Sequence, residues 1–163
     1  MLCEICNKDK NRGEILRLEK KEIFLCADCQ EDNVVNGMHL RGGVMVVPVK
    51  LPSLETALNK KIYIRPWRKK AEHTPFLAFY YQGSILYFGR IKKIDVKVVK
   101  ENIVEFLPKG ERWSAKDFYT VYVLDYVDKL KNCIIRGKCP TIQSKIIVPF
   151  RKFAKATTVC DLF

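Results

Sequence analysis

The chain has 163 residues, 48% of them hydrophobic, which allows one medium domain or two small ones. No run approaches the roughly 18 consecutive apolar residues of a membrane span, and the N-terminus, MLCEICNKDK, lacks the basic-then-apolar order of a secretory signal. The formal net charge of +12 is distributed unevenly: residues 1–43 hold seven Lys/Arg against eight Asp/Glu, whereas residues 44–163 hold 23 against 10. A field of that sign gathers polyanions, and inside a cell the usual one is nucleic acid. Lysine-rich faces that only keep a protein in solution are the plainer alternative. Seven cysteines without a leader point to a reducing, cytoplasmic setting, where clustered thiols bind metal more often than they pair.

In chain order, the first motif is CEIC, Cys3 to Cys6, answered by CADC, Cys26 to Cys29, in the spacing C-x2-C-x19-C-x2-C. Two residues between cysteines let one tight turn aim both sulfurs at a single ion, and two such knuckles complete a tetrahedral thiolate shell that suits zinc. Four thiolates leave no open coordination position, so the expected zinc is single and structural. Between the knuckles, EILRLEKKEIFL reads as two short strands around a charged turn at Lys20 and Lys21. After them ADCQEDNVV has helical character, with Asp28 as its candidate cap. Knuckle, hairpin, knuckle and helix together resemble the treble-clef and zinc-ribbon modules over residues 1–36. Treble clefs often bind proteins, so a protein partner through this module is a further expectation. So short a segment buries too little apolar surface to fold without its metal.

Residues 37–43 are polar and glycine-rich and read as a linker. From residue 44 the pattern is largely period-two. VMVVPV (44–49) is a strand that its proline places at a sheet edge. PSLETALNKK (52–61) reads as a short helix capped by Ser53, with Leu54, Ala57 and Leu58 on one face. KIYI follows, and then FLAFYYQGSILYFGRI, two apolar runs flanking a Gln82-Gly83-Ser84 hairpin turn. Leu77, Phe79 and Tyr81 lie on one face of the first run and Phe76, Ala78 and Tyr80 on the other. A strand apolar on both faces belongs inside a barrel or under a helix. DVKVVKENIVEF and DFYTVYVLDYV supply more strands, and KIIVPFRKFAKATTVCDLF a last strand, a short helix from about Pro149 and a tail. Cys133, Cys139 and Cys160 match no metal knuckle and read as buried or incidental thiols. The expected class is α+β and β-rich: a four-cysteine zinc module (1–36), then a basic β-barrel domain with short helices (44–163).

RPWRKKAEHTPFLAFYYQGSILYFGRIKKI, the later strands and the ending IQSKIIVPFRKFAKATTVCDLF look like the PUA-like superfamily, particularly its EVE, ASCH and YTH relatives. Such domains are pseudobarrels that bind RNA or DNA, several of them around a modified or flipped base held in an aromatic cage. The resemblance implies that Trp67, Trp113 and Tyr80 or Tyr81 stand near such a pocket.

Independently of the resemblance, Trp67 sits among Arg65, Arg68, Lys69 and Lys70, and Trp113 follows Arg112 in a second basic loop. A tryptophan so placed can stack on a base while its neighbours hold phosphates, or it can plug the barrel end under arginine stems. Arg90, Lys92, Lys93, Lys145, Arg151, Lys152 and Lys155 are further phosphate candidates, each taken alone reading more readily as a solvated surface charge. The leading expectation is therefore a nucleic-acid-binding protein, for DNA or RNA, without chemistry of its own. A small nuclease or RNA-modifying enzyme is the alternative. Its candidate carboxylates (Asp95, Glu101, Glu105, Asp117) lack metal-binding spacing, and His39 and His73 lie in loops without an evident partner. A protein-interaction adaptor is the third reading.

Overall fold

The computed structural model describes residues 1–30, 42–69, 73–107 and 116–163. Strands β1 (Gly13–Arg17) and β2 (Glu22–Cys26) form the expected antiparallel hairpin, and one helical turn, α1 (Ala27–Gln30), follows it. The rest of the chain supplies β3 (Gly43–Pro48), α2 (Leu51–Lys60), β4 (Ile62–Pro66), β5 (Phe76–Tyr81), β6 (Ser84–Val99), β7 (Phe118–Ile135), β8 (Ile146–Pro149) and α3 (Phe150–Lys155). Its six strands make one mixed sheet in the spatial order β4-β7-β6-β5-β3-β8. Among the described residues the two edge strands, β4 and β8, do not pair, so the sheet is open rather than closed into a barrel.

The β5–β6 turn shows why this pattern folds as it does. Gln82 and Gly83 both take positive φ, 48° and 80°, the left-handed pair whose twist matches two adjoining strands. Two local expectations are corrected. Pro48 does not put β3 at an edge: β3 lies between β5, parallel to it, and β8, antiparallel to it. The β8 ladder stops at Val46, so the missing N–H of Pro48 falls where no partner waits. Ser53 does not cap α2, because the helix begins two residues earlier, with Lys50 at the cap position and Pro52 in the first turn. Ser53 is left inside that turn, only 5% exposed.

Alternation along β3 and β5 sends apolar side chains to both faces of the sheet, and each face is covered. Met45, Val47, Leu77 and Phe79 pack with Leu54 and Ala57 of α2. Val44, Val46, Phe76, Ala78 and Phe88 join a second cluster with Leu16, Ile23 and Leu25 of the hairpin and with Phe150 and Phe153 of α3. Ring contacts bind this side together, Phe76 to Phe88 at 5.2 Å and Phe88 to Phe153 at 5.6 Å between centroids. The cysteine-rich segment and the sheet therefore share one core. Polar contacts fasten them as well. Leu18 bridges Leu130, and Glu19 and Lys20 donate their backbone N–H groups to the Lys129 carbonyl and the Asp128 carboxylate, each at 2.9 Å. Glu4, inside the first knuckle, accepts from the Tyr126 hydroxyl at 3.2 Å and pairs with Arg90 at 3.3 Å. Burial and then the Glu4 charge push the Tyr126 phenol far above its ordinary range, so it remains a donor.

Cys139 and Cys160, expected as incidental thiols, form a disulfide with their Cα atoms 5.4 Å apart. It ties the short turn Val159–Leu162, which buries Val159 and Leu162, to the loop after β7, while Cys133 is an exposed free thiol. Among the described residues no helix is long and apolar enough to cross a membrane.

The shared core sets an expectation. Phe88→Ala removes a ring packed against both Phe76 and Phe153 and should cost about 3–5 kcal/mol. Denaturant titration read by hydrogen exchange should show the β1–β2 hairpin and the β5–β6 pair losing protection in one transition. A hairpin that keeps its protection while the sheet loses it would contradict a common core.

Candidate functional site

The first knuckle turns because Asn7 adopts a left-handed φ of 54° and its N–H closes back on the Cys3 carbonyl at 3.0 Å. The hairpin then returns the chain so that Cys26 leaves β2 beside it, its N–H directed at the Cys3 sulfur at 3.4 Å. Gly42 passes so close to the second knuckle that a Cβ would meet the Cys29 carbonyl oxygen at 2.5 Å, which admits no side chain there. The four Sγ atoms of Cys3, Cys6, Cys26 and Cys29 all lie within 4.8 Å of one another, and Cys6 and Cys26 stand 3.9 Å apart. Tetrahedral thiolates on an ion at about 2.3 Å would be separated by about 3.8 Å, so the cluster can hold a metal and is consistent with a structural zinc. Cys3, Cys26 and Cys29 are buried and Cys6 half-buried.

The thiols differ in acidity. Burial opposes a charge on Cys3, but the backbone N–H groups of Cys26, Cys6 and Ile5 outweigh it and bring that thiol down to about 6. Burial and the neighbouring sulfurs push Cys29 far up. Metal binding needs the thiols deprotonated, and an ion held there would release their protons by its own charge.

A second assembly lies across the molecule, where β4, β7 and β6 run side by side. Tyr63, Arg65 and Trp67 lie along one face of β4 and its continuation, opposite Tyr122, Thr120 and Phe118 of β7. Trp67 is half-buried and meets Phe118 edge to face, 6.3 Å between centroids at 74°. A bulge in β6 between Asp95 and Val98 gives Lys97 a left-handed φ of 54° and puts its ammonium 5.1 Å from the Trp67 ring and 5.3 Å from the Phe118 ring. Arg68 and Lys69 follow, both exposed. Trp67 is therefore neither fully buried nor fully free, its ring being in contact with Phe118 and Lys97.

Beside this platform, β3, the start of α2 and β4 enclose a cavity of about 290 Å³ whose lining includes Lys50, Ser53, Tyr63, Arg65 and Gln143. Among the described residues that line it there is no carboxylate.

The other candidates fall elsewhere. Tyr80 is buried on the hairpin side of the sheet, and Tyr81 is half-buried on the α2 side. The Arg90 guanidinium is engaged by Glu4, Lys93 pairs with Asp95, Arg151 and Lys155 both pair with Glu14, and Lys152 donates to the Phe163 carbonyl. Lys92 is exposed. Lys70, Arg112 and Trp113 lie outside the described residues. Sequence reasoning missed Lys97, Phe118 and the cavity. Phe118 carries a signal, since it heads a strand beside a basic loop; Lys97 carries none, because its place depends on a bulge in strand pairing.

No family model, curated protein or solved structure matches the chain.

The metal centre is directly testable. Purified protein should carry about one zinc per chain, and Cys26→Ser should release it. Because the hairpin covers one face of the sheet, that loss should also expose apolar surface, read as binding of a hydrophobic dye and faster exchange in β5. A metal-free variant with an unchanged sheet would separate the cluster from the fold.

Proposed function

We propose that this protein binds nucleic acid through the β4–β7–β6 platform and its basic flank, with a structural zinc in the cysteine cluster and no chemistry of its own. The open sheet with α2 on one face is read as a PUA-like pseudobarrel of the EVE, ASCH or YTH kind, acting inside the cell on DNA or RNA. The observation that carries this reading is the juxtaposition of Trp67, Phe118 and Lys97 with the exposed Arg68 and Lys69. Aromatic faces accept bases without regard to sequence, and a cation held against them meets the adjoining phosphate. Charge supports the reading: the segment from residue 44 onward holds 23 basic residues against 10 acidic ones. Several basic side chains on other faces are consumed by ion pairs within the protein, whereas Arg68 and Lys69 have no such partner among the described residues.

Two kinds of variant distinguish stacking from general attraction. Trp67→Ala should weaken binding to a single-stranded oligonucleotide by roughly 1–3 kcal/mol with little change in salt dependence. Arg68→Ala and Lys69→Ala should each flatten the slope of log affinity against log salt by about one unit. Fluorescence anisotropy across a salt series, with a melting curve for every variant, gives both quantities. A Trp67→Ala protein that melts normally and binds like the parent would remove the platform from the reading.

A further inference from the structure

The cavity between β3, α2 and β4 has an unusual chemical lining. Helix α2 begins with no side chain bonded to its first-turn N–H groups, so its N-terminal partial positive charge is open to the cavity mouth. Ser53, in that turn, lines the cavity and is 5% exposed, and its hydroxyl has no hydrogen-bond partner among the described residues. That hydroxyl opens to the cavity, where a ligand oxygen can take the place of water. On the facing wall, Arg65 is half-buried and donates to the Met45 thioether at 3.6 Å, a weak acceptor that leaves most of its donors to spare. Lys50 stands exposed at the rim and has no ion-pair partner among the described residues. Two cations, a helix start and the Ser53 hydroxyl thus line a space that has no carboxylate among the described residues, walled on one side by Tyr63, Ile64 and Pro66.

We infer that this cavity binds a phosphomonoester, the group shared by the phosphorylated end of a nucleic-acid strand and a free nucleoside monophosphate. The strand-end source rests on the nucleic-acid reading above; the phosphomonoester chemistry does not. A monoester is favoured over an internal diester on two grounds. It carries about two negative charges near neutral pH against one, matching the two cations. It also ends the chain, so it can enter a recess that a continuing backbone could reach only by splaying the strand. The planar fork of Arg65 suits two phosphate oxygens at once, with the Ser53 hydroxyl and the backbone N–H groups of Leu51 and Ser53 available for the others, since Pro52 has none and that of Leu54 is bonded to the Lys50 carbonyl. At about 290 Å³ the space lies just below the usual range of ligand sites, roughly 300–1,000 Å³, which suits a phosphate and its attached sugar rather than a larger ligand.

The test uses the full zinc-loaded chain. Anisotropy is measured with one oligonucleotide bearing a 5′-phosphate, a 3′-phosphate or neither, and calorimetry with a nucleoside monophosphate against its nucleoside. One phosphorylated end should bind at least about tenfold more tightly than the unphosphorylated strand. That ratio should fall to about one in Arg65→Met and several-fold in Ser53→Ala. If Arg65→Met melts lower than the parent, Ser53→Ala and the exposed Lys50→Ala carry the test. A monophosphate that outbinds its nucleoside while no oligonucleotide binds keeps the phosphomonoester site, with free nucleotide as its source, and removes the nucleic-acid function. Oligonucleotides that bind alike with and without a phosphate at either end, alongside a monophosphate no better than its nucleoside, overturn the inference and leave that function standing. An end preference untouched by all three substitutions also overturns it, because the phosphate then sits elsewhere.

Discussion

A sheet that is apolar on both faces must be covered twice, and this chain meets that demand with two unlike covers. The α2 side is ordinary: a ten-residue helix lays Leu54 and Ala57 onto Met45, Leu77 and Phe79. On the other side the larger part of the cover is a five-residue-per-strand hairpin, too small to hold its shape alone. The four-thiol cluster joins the two ends of that hairpin, and α3 closes the remaining gap with Phe150 and Phe153. A metal held by these thiols would do more than fold a finger. It would keep Ile23 and Leu25 seated over the sheet, and Glu4, lodged inside the first knuckle, would carry the constraint to Tyr126 and Arg90.

The same architecture sorts the positive charge. Where the cysteine module meets the sheet, basic residues are neutralised: Arg90 and Lys21 at Glu4, Lys155 and Arg151 at Glu14. The slightly acidic balance of the first 43 residues thereby absorbs part of the excess of the remainder. Among the described residues Arg68, Lys69 and Lys97, at the end of β4 and the bulge of β6, stay outside such pairs, as do exposed basic residues on other elements, Lys92, Lys131 and Lys138 among them. At the platform Lys97 lies over two aromatic rings, and elsewhere Lys21 lies over Tyr126 and Lys60 over Phe106.

How much of this the sequence disclosed follows from the range of each interaction. The four-cysteine cluster was legible because each knuckle is local and the two knuckles share a spacing. The β5–β6 hairpin was legible because a Gln-Gly turn between apolar runs has few other uses, and its faces could be assigned by alternation alone. Strand order was not legible, and neither was the seating of the hairpin on the sheet. The Lys20 to Asp128 hydrogen bond joins residues 108 positions apart, and no pattern near either one announces the other. The disulfide was hidden for the same reason, since Cys139 and Cys160 belong to different elements separated by β8 and α3. Pro48 misled because a proline marks an edge only where a neighbouring strand extends past it, and β8 does not. Of the basic residues singled out, the pattern could not separate Arg90, engaged by Glu4, from Arg68, which faces solvent.

Lys97 shows what positions the platform. A lysine at φ 54° inside a strand is strained, at a cost on the order of 1–3 kcal/mol for such backbone. Glycine at that position would relieve the strain. The bulge places one extra residue between the Val121 and Tyr119 pairings of β7, which re-aims the side chain toward the ends of β4 and β7. At that point backbone pairing is finishing, with the Trp67 N–H bonded to the Phe118 carbonyl at 3.0 Å as the last tie. Two strands and the residue just past a third thus contribute one side chain each to the spot, Lys97 and Phe118 from β6 and β7 and Trp67 after β4. Rigid placement of a cation and two rings lowers the entropy lost when a ligand settles on them. On the function proposed here, local strain at Lys97 is the counterpart of that preorganisation.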